Sequence, residues 1–462
     1  MTFKSFFTRQ WSLLALSLFL FLAACSGGGA SQGSQPAAAA DSEATTTTSS
    51  GPVKVVFWHS MSGNLENVVN DLVKKFNDSQ KDVQVEAVFQ GDYDTALSKF
   101  KTVVGTNDAP TMMQVYDVGS RYMIDSKAIT PMQQFIDADK FDLSSFEQNI
   151  LSYYTFNGEQ YSMPFNTSNP LIYYNKDLFK AAGLDPEHPP TTFAEFEEAA
   201  KKLAAKGTPA SFPIYGWLME QLMANQDVQI LNNDNGRSAP ATESTINSKA
   251  AVDTLTWWKK MVDEKAMMNL GRKTDDTDKA FLAGQTAITM NSTGALTKLL
   301  EGSKGKFELG TAPLTKPSAD YKDKGGVVVG GASLWITNNK PAAEQQAAWK
   351  FIKFLAEPDN QAYWSVHSGY FPITKKAYDV DIMKQNLKEH PQFQTAVDQL
   401  HNTKIDPATQ GAVMGIFPEA RQLTETAIEE ALTGKKTPQQ ALDDAATQIT
   451  QKLQDYNDSV TQ

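Results

Sequence analysis

Val53-Lys54-Val55-Val56-Phe57-Trp58 is an apolar run broken by one lysine, and together with the two patterned runs after it this stretch decides the fold. Leu65, Val68, Leu72 and Phe76 recur at helical spacing, and Val83, Val85, Ala87 and Phe89 then recur at every second position. Apolar residues three to four apart mark one face of a helix, and residues two apart mark a strand with one buried face. A second helix-like stretch from Tyr93 to Val104 leads into the short run Met112 to Tyr116. The order β-α-β-α-β predicts an α/β fold built on an open, largely parallel sheet with helices on both faces. Ligands of such sheets sit outside the carboxyl ends of the strands, so the loops beginning at Trp58, Gln90 and Tyr116 form one wall of a candidate site.

Upstream of this unit, Lys4 and Arg9 precede a mostly apolar stretch from Trp11 to Leu22, and Leu22-Ala23-Ala24-Cys25 has the form of a lipobox. The pattern predicts a signal peptide over residues 1–24. Its apolar stretch, about 12 residues, is short of the roughly 20 that span a bilayer as a helix. Cys25 then becomes the lipidated first residue of an exported protein, tethered to the cell envelope and facing the periplasm or exterior. Several acyl chains, at about 0.8 kcal/mol per buried methylene, give durable anchoring. The competing readings are an ordinary signal peptide with a chance cysteine and a catalytic thiol. The latter needs a structured pocket that Ser26-Gly27-Gly28-Gly29 does not offer. Cys25 is the single cysteine, so neither an intrachain disulfide nor a cysteine-based zinc site can form.

Residues 25–51 read as anchor and tether, because from Gly27 to Gly51 Gly, Ser, Ala, Gln and Thr dominate and no large apolar residue occurs. About 410 residues remain, enough for two or three lobes with full cores. Losing Lys4 and Arg9 takes the formal charge from −11 to −13. So acidic a surface argues against nucleic acid and anionic lipid as partners and leaves the lipid anchor as the only membrane contact.

Further along, Thr192 with Glu195 makes a capping box, Gly207 follows as a stop, and Thr437-Pro438 with Gln440 repeats the grammar. Thr286 to Met290 reads as a buried strand left through the loop Met290-Asn291-Ser292-Thr293-Gly294, and Gly325 to Gly331 as an apolar strand between glycine pairs. No internal repeat occurs.

Catalytic patterns are missing. His59, His188, His367, His390 and His401 show no close pairing at metal-ligand spacing. Gly305-Lys306 and Gly434-Lys435 lack the rest of a phosphate-binding loop, and no GxSxG elbow occurs. The residues therefore favour binding over catalysis, with no cofactor and no metal.

Six runs are more specific: Val56-Phe57-Trp58-His59-Ser60-Met61, Gln114-Val115-Tyr116-Asp117-Val118-Gly119, Pro164-Phe165-Asn166-Thr167-Ser168, Tyr173-Tyr174-Asn175-Lys176, Gly330-Gly331-Ala332-Ser333-Leu334-Trp335 and Gly369-Tyr370-Phe371-Pro372-Ile373-Thr374-Lys375. From about Val53 to the C-terminus the chain resembles the glycerol-3-phosphate-binding proteins of bacterial ABC importers. Generic sugar binders share Tyr-Tyr-Asn-Lys and Gly-Tyr-Phe-Pro, so Trp-His-Ser-Met and Gln-Val-Tyr-acid-Val-Gly are the discriminating runs. The resemblance implies two lobes, 52–165 plus 295–362 and 166–294 plus 363–462, each a mostly parallel sheet flanked by helices, with the ligand cleft at the hinge. It implies a monomer that captures sn-glycerol-3-phosphate or a glycerophosphodiester such as glycerophosphocholine and hands it to permease subunits.

Matched to the family's motifs, the ligand residues fall on Tyr93, Asp117, Ser168, Trp217, Ser292, Gly331, Tyr370 and Arg421. On this reading Arg421 offers a planar fork to phosphate oxygens, with Pro418 starting its helix. Ser292, Tyr370 and the Gly331 amide add donors, Asp117 and Tyr93 meet the glycerol hydroxyls, and Trp217 is a flat apolar wall. Two departures stand out. Asp117 occupies a position where the family commonly has Glu, and Ile214-Tyr215-Gly216-Trp217 replaces Trp-x-Gly-Trp. The missing aromatic predicts a roomier pocket suited to a diester, with Trp217 or Tyr215 against a quaternary ammonium. Competing readings are an oligosaccharide binder, a glycerophosphodiesterase and a surface adhesin.

Overall fold

The computed structural model describes residues 51–460; the expected signal peptide, Cys25 and nearly all of the expected tether lie outside the described residues. The opening unit forms as its periodicity requires: β1 (Val53–His59), the helix Asn64–Ser79, β2 (Val83–Phe89), the helix Tyr93–Val103 and β3 (Met112–Tyr116). The first helix buries Val68, Val69, Leu72, Val73 and Phe76 on one face. Asp92 caps the second, accepting from the Thr95 amide at 2.8 Å. The chain continues through β4 (Ile129–Thr130), a hairpin of β5 (Thr155–Phe156) and β6 (Glu159–Gln160), β7 (Met163–Ser168) and β8 (Pro170–Asn175). After these come β9 (Ala210–Ser211), β10 (Ile288–Ser292), β11 (Leu309–Ala312) and β12 (Gly330–Thr337).

Two main sheets result, ordered β2-β1-β3-β12-β4 with β7 also on β12, and β11-β8-β10-β9. Both are flanked by helices, so the α/β class and the two-sheet plan hold. Parallel pairing is narrower than expected. It covers β1 with β2 and β3, and β9 with β10, whereas β12 is antiparallel to β3, β4 and β7, and β8 to β10 and β11. The βαβ unit at the start and the helical connection between β9 and β10 carry the parallel order. Strands that return from the other sheet have no crossover helix of their own to dictate direction.

The chain passes between sheets at Asn169, fully buried between β7 and β8, beyond the expected boundary at 165. Leu309–Ala312, expected in the first lobe, pairs with β8 in the second sheet. The helix Pro358–Ser368 runs across the expected boundary at 362. These changes of sheet follow hydrogen-bonded register, which a periodicity reading does not see.

Two strands also shift. The expected strand at 286–290 forms at Ile288–Ser292, which brings Asn291 and Ser292 into the ladder opposite Leu171 and Pro170. The valines at 327–329 are not a strand. The Val327 and Val328 amides donate instead to Thr403 Oγ1 at 3.1 Å and Gln221 Oε1 at 2.9 Å, and β12 begins only at Gly330. Both expected capping boxes form, at Thr192 with Glu195 and at Thr437 with Gln440.

Candidate functional site

A cavity of about 600 Å3 is lined by Asp92 and Tyr93, by Tyr116 and Asp117 at the carboxyl end of β3, by Ser168 and Gly331, and by Tyr215 and Trp217. Arg272 to Asp275, Asn291, Ser292 and Tyr370 complete the wall. Seven of the eight residues expected to meet ligand are thus brought together: Tyr93, Asp117, Ser168, Trp217, Ser292, Gly331 and Tyr370. The loops after β2 and β3 reach the cavity as the sheet rule anticipates. The loop after β1 does not, and it contributes from behind.

That contribution is a hydrogen-bond chain. The Ser60 amide donates to Gln114 Oε1 at 2.8 Å, Gln114 Nε2 to Asn166 Oδ1 at 2.6 Å, and Asn166 Nδ2 to the Tyr93 hydroxyl at 2.7 Å. Tyr93 also stacks on Tyr116, with ring centroids 5.3 Å apart. Tyr370 is held by a ladder of rings, Phe165 on Trp364 at 4.7 Å and Trp364 on Tyr370 at 5.7 Å. Burial pushes the phenols of Tyr93 and Tyr370 above the usual tyrosine range, so both present neutral O–H groups.

Glycines let these rings close in. Gly331 has φ +92°, and a Cβ there would stand 1.9 Å from the Asn166 carbonyl oxygen; one at Gly330 would lie 2.5 Å from Trp217 Cζ2. The indole therefore rests on bare backbone. Trp217 is 4% exposed and its Nε1 has no hydrogen-bond partner among the described residues. A buried N–H left unpaired costs about 1–3 kcal/mol, a cost that a ligand acceptor offsets.

Asn291 was not anticipated, because its signal is spatial. Its Nδ2 donates to the buried Asp278 at 2.8 Å while its Oδ1 accepts from the Ser292 amide at 2.7 Å. Ser292 Oγ in turn accepts from the Gly294 amide at 3.0 Å. Arg272 and Lys273 were also missed. Arg272 pairs with Glu429 at 2.6 Å, whereas among the described residues no acidic partner lies within ion-pair distance of Lys273. Both sit in an unpatterned stretch ahead of the helix Thr274–Leu282.

Two residues expected at the cavity wall are placed behind it. Arg421 lies in the second turn of the helix Phe417–Leu432, whose first turn holds Pro418 as expected, but behind the cavity wall. Its fork is already engaged: Nε donates to Glu220 Oε1 at 2.7 Å, Nη2 to Glu220 Oε2 at 2.9 Å, and Nη2 also to Asp117 Oδ2 at 2.6 Å. Burial alone would lower the Arg421 pKa, but Asp117 and Glu220 hold it above the ordinary arginine range. Burial raises the carboxyl of Glu220, and Arg421 opposes that shift. The guanidinium has two carboxylates in reach and turns to them, so it acts on the cavity through Asp117.

Ile214 is fully buried in the core and does not line the cavity, so its identity does not widen the pocket. The aromatic pair at the wall is Tyr215 and Trp217, centroids 6.0 Å apart. Among the described residues no group of three or more His, Cys, Asp or Glu is placed to hold a metal, and no helix is long and apolar enough to cross a membrane.

Comparison with known proteins gives concordant findings. Residues 71–395 match the model of the bacterial extracellular solute-binding protein family. The sn-glycerol-3-phosphate-binding periplasmic protein of Escherichia coli K12 is 36% identical over 413 residues, 88% of this chain and 93% of its own length. Among solved structures, UgpB from Mycobacterium tuberculosis in complex with glycerophosphocholine superposes with a TM-score of 0.73 at 24% identity, covering 88% of this chain and 99% of that one. The cyclic alpha-maltosyl-1,6-maltose binding protein from Arthrobacter globiformis gives 0.72 at 23% identity, covering 88% and 100%.

Proposed function

The chain belongs to the bacterial extracellular solute-binding proteins, and we propose that it is the capture component of an ABC importer for sn-glycerol-3-phosphate and glycerophosphodiesters such as glycerophosphocholine. The observation that carries this reading is the convergence of Tyr93, Asp117, Ser168, Trp217, Ser292, Gly331 and Tyr370 on one cavity. The hydroxyls of Ser168, Ser292, Tyr93 and Tyr370 and the Gly331 amide are neutral donors for phosphate oxygens. Arg272 and Lys273 add positive charge at the same wall. Asp117, held by Arg421, accepts from the glycerol hydroxyls. Tyr215 and Trp217 flank the carbon chain or a quaternary ammonium, a contact worth about 0.5–2 kcal/mol.

The same reading makes the protein a monomer that binds without turnover. It is exported, lipid-anchored at Cys25, and works beside its permease. Its lobes divide near the proposed boundaries, with Leu309–Ala312 moved to the second. Calorimetric titration with sn-glycerol-3-phosphate, glycerophosphocholine and maltose tests the ligand class. Saturable heat with either glycerol phosphate and none with maltose is expected. Heat with maltose alone would establish an oligosaccharide carrier instead.

A further inference from the structure

Glu220 sits on the helix Gly216–Ala224, its side chain only 10% exposed, and does not line the cavity. Both of its oxygens are on Arg421, a bidentate pairing that fixes the plane of the guanidinium. Of the five guanidinium N–H groups, Glu220 takes the Nε proton and one on Nη2, and Asp117 takes the other on Nη2. Asp117 also stands 3.5 Å from Nη1. Two carboxylates against one guanidinium leave a net single negative charge when all are ionised.

We infer that Glu220 is a positioning residue that sets ligand charge selectivity: it withholds the Arg421 fork from the ligand phosphate, turns it to support Asp117, and leaves the cavity floor negative. A hydroxyl-rich or cation-bearing ligand is accommodated over such a floor, and a second full negative charge is disfavoured. This rests on the glycerol-phosphate reading of the cavity.

The groups facing Glu220 are Arg421 and Glu425 from the helix Phe417–Leu432, Asp117 from the first sheet, Tyr215 ahead of its own helix and Tyr153 from the helix Gln148–Tyr153. Glu425 accepts from the Gly216 amide at 3.0 Å. Arg272 stands 3.7 Å from Glu425 and balances that carboxylate, so the excess negative charge stays with Asp117, Arg421 and Glu220.

The test compares the full-length wild type, Glu220→Gln and Glu220→Ala at pH 8, where the phosphate monoester is dianionic. Each is titrated with sn-glycerol-3-phosphate and with glycerophosphocholine, which is zwitterionic. Glu220→Gln keeps shape and an acceptor for Nε but removes the charge. The ratio of affinities should shift about tenfold toward the monoester in this variant. Glu220→Ala frees the fork and should weaken both ligands, because Asp117 loses its fixed support. An unchanged ratio in Glu220→Gln, or equal loss of both ligands in the two variants, would overturn the inference while leaving the function intact. A wild type that binds neither ligand would remove the function and the inference together.

Discussion

Gly331 stands where no side chain fits, since its φ is +92° and Asn166 closes over it. Strain of this kind is of order 1–3 kcal/mol, so Gly331→Ala should lower the denaturant midpoint with an unchanged slope. Because Asn166 donates to Tyr93, the displacement should also weaken ligand binding more than tenfold. Intact affinity in that variant would show that the Asn166 link does not position Tyr93. Arg421→Ala acts differently, stranding Asp117 and Glu220 as buried unpaired charges at a cost of about 3–5 kcal/mol near neutral pH. Without the cation nothing opposes the burial that raises the Glu220 carboxyl, so the folded variant takes up a proton there before the unfolded chain does. Its deficit against wild type should therefore shrink as pH falls toward 4, which urea melts across pH measure directly. Four of the seven cavity residues, Asp117, Ser168, Gly331 and Tyr370, were legible in the sequence because they lie inside the runs that carry the family resemblance. Glu220 and the true partners of Arg421 were not, being 201 and 304 positions away from it.

At the scale of elements, legibility followed local chemistry. The capping box at Thr192 was readable because its partners are three residues apart: Glu195 Oε2 accepts from the Thr192 amide at 3.1 Å and the Glu195 amide donates to Thr192 Oγ1 at 3.3 Å. Thr192→Ala should cost about 1 kcal/mol, with the loss shown by melting. Hydrogen bonds from Thr191 depress the Glu195 carboxyl, so its contribution is present above the unfolded carboxylate range near 4.3 and is lost as pH falls through the lower folded value. The valines at 327–329 defy their apolar pattern for a complementary reason. The Val327 and Val328 amides are satisfied by Thr403 and Gln221, and nothing in an apolar run announces a distant side-chain partner. Lys316 offers a pH test of another such long-range link. Its Nζ donates to the carbonyls of Asn225 and Lys324, both at 2.7 Å, and burial pushes its pKa down to about 8. The unfolded chain then holds more protons between about pH 8 and 10.4, so stability should rise with pH across that window. Lys316→Met should flatten the rise.

At the scale of the molecule, the cavity draws Asp117 and Ser168 from the ends of first-sheet strands and Ser292 and Trp217 from the second-sheet side, so a bound solute touches both. The Arg421 pair with Asp117 makes the same crossing through protein. Contacts that exist only when both sides approach are what allow a ligand to shift the population toward a closed form. Ligand at about 100 times its dissociation constant adds about 2.7 kcal/mol. With an unfolding entropy of about 2.1 cal/mol/K per residue, a folded region of about 410 residues has roughly 0.9 kcal/mol/K, so the melting temperature should rise by about 3 °C. Asp117→Ala, if it weakens binding a hundredfold, leaves the same ligand concentration near one dissociation constant. The gain then falls to about 0.4 kcal/mol and the shift to under about 1 °C. Small-angle scattering on the same samples separates enclosure from surface attachment. A solute held between the sheets should reduce the wild-type radius of gyration in step with the thermal shift. A shift with no compaction would place the ligand on one sheet alone and overturn capture by closure.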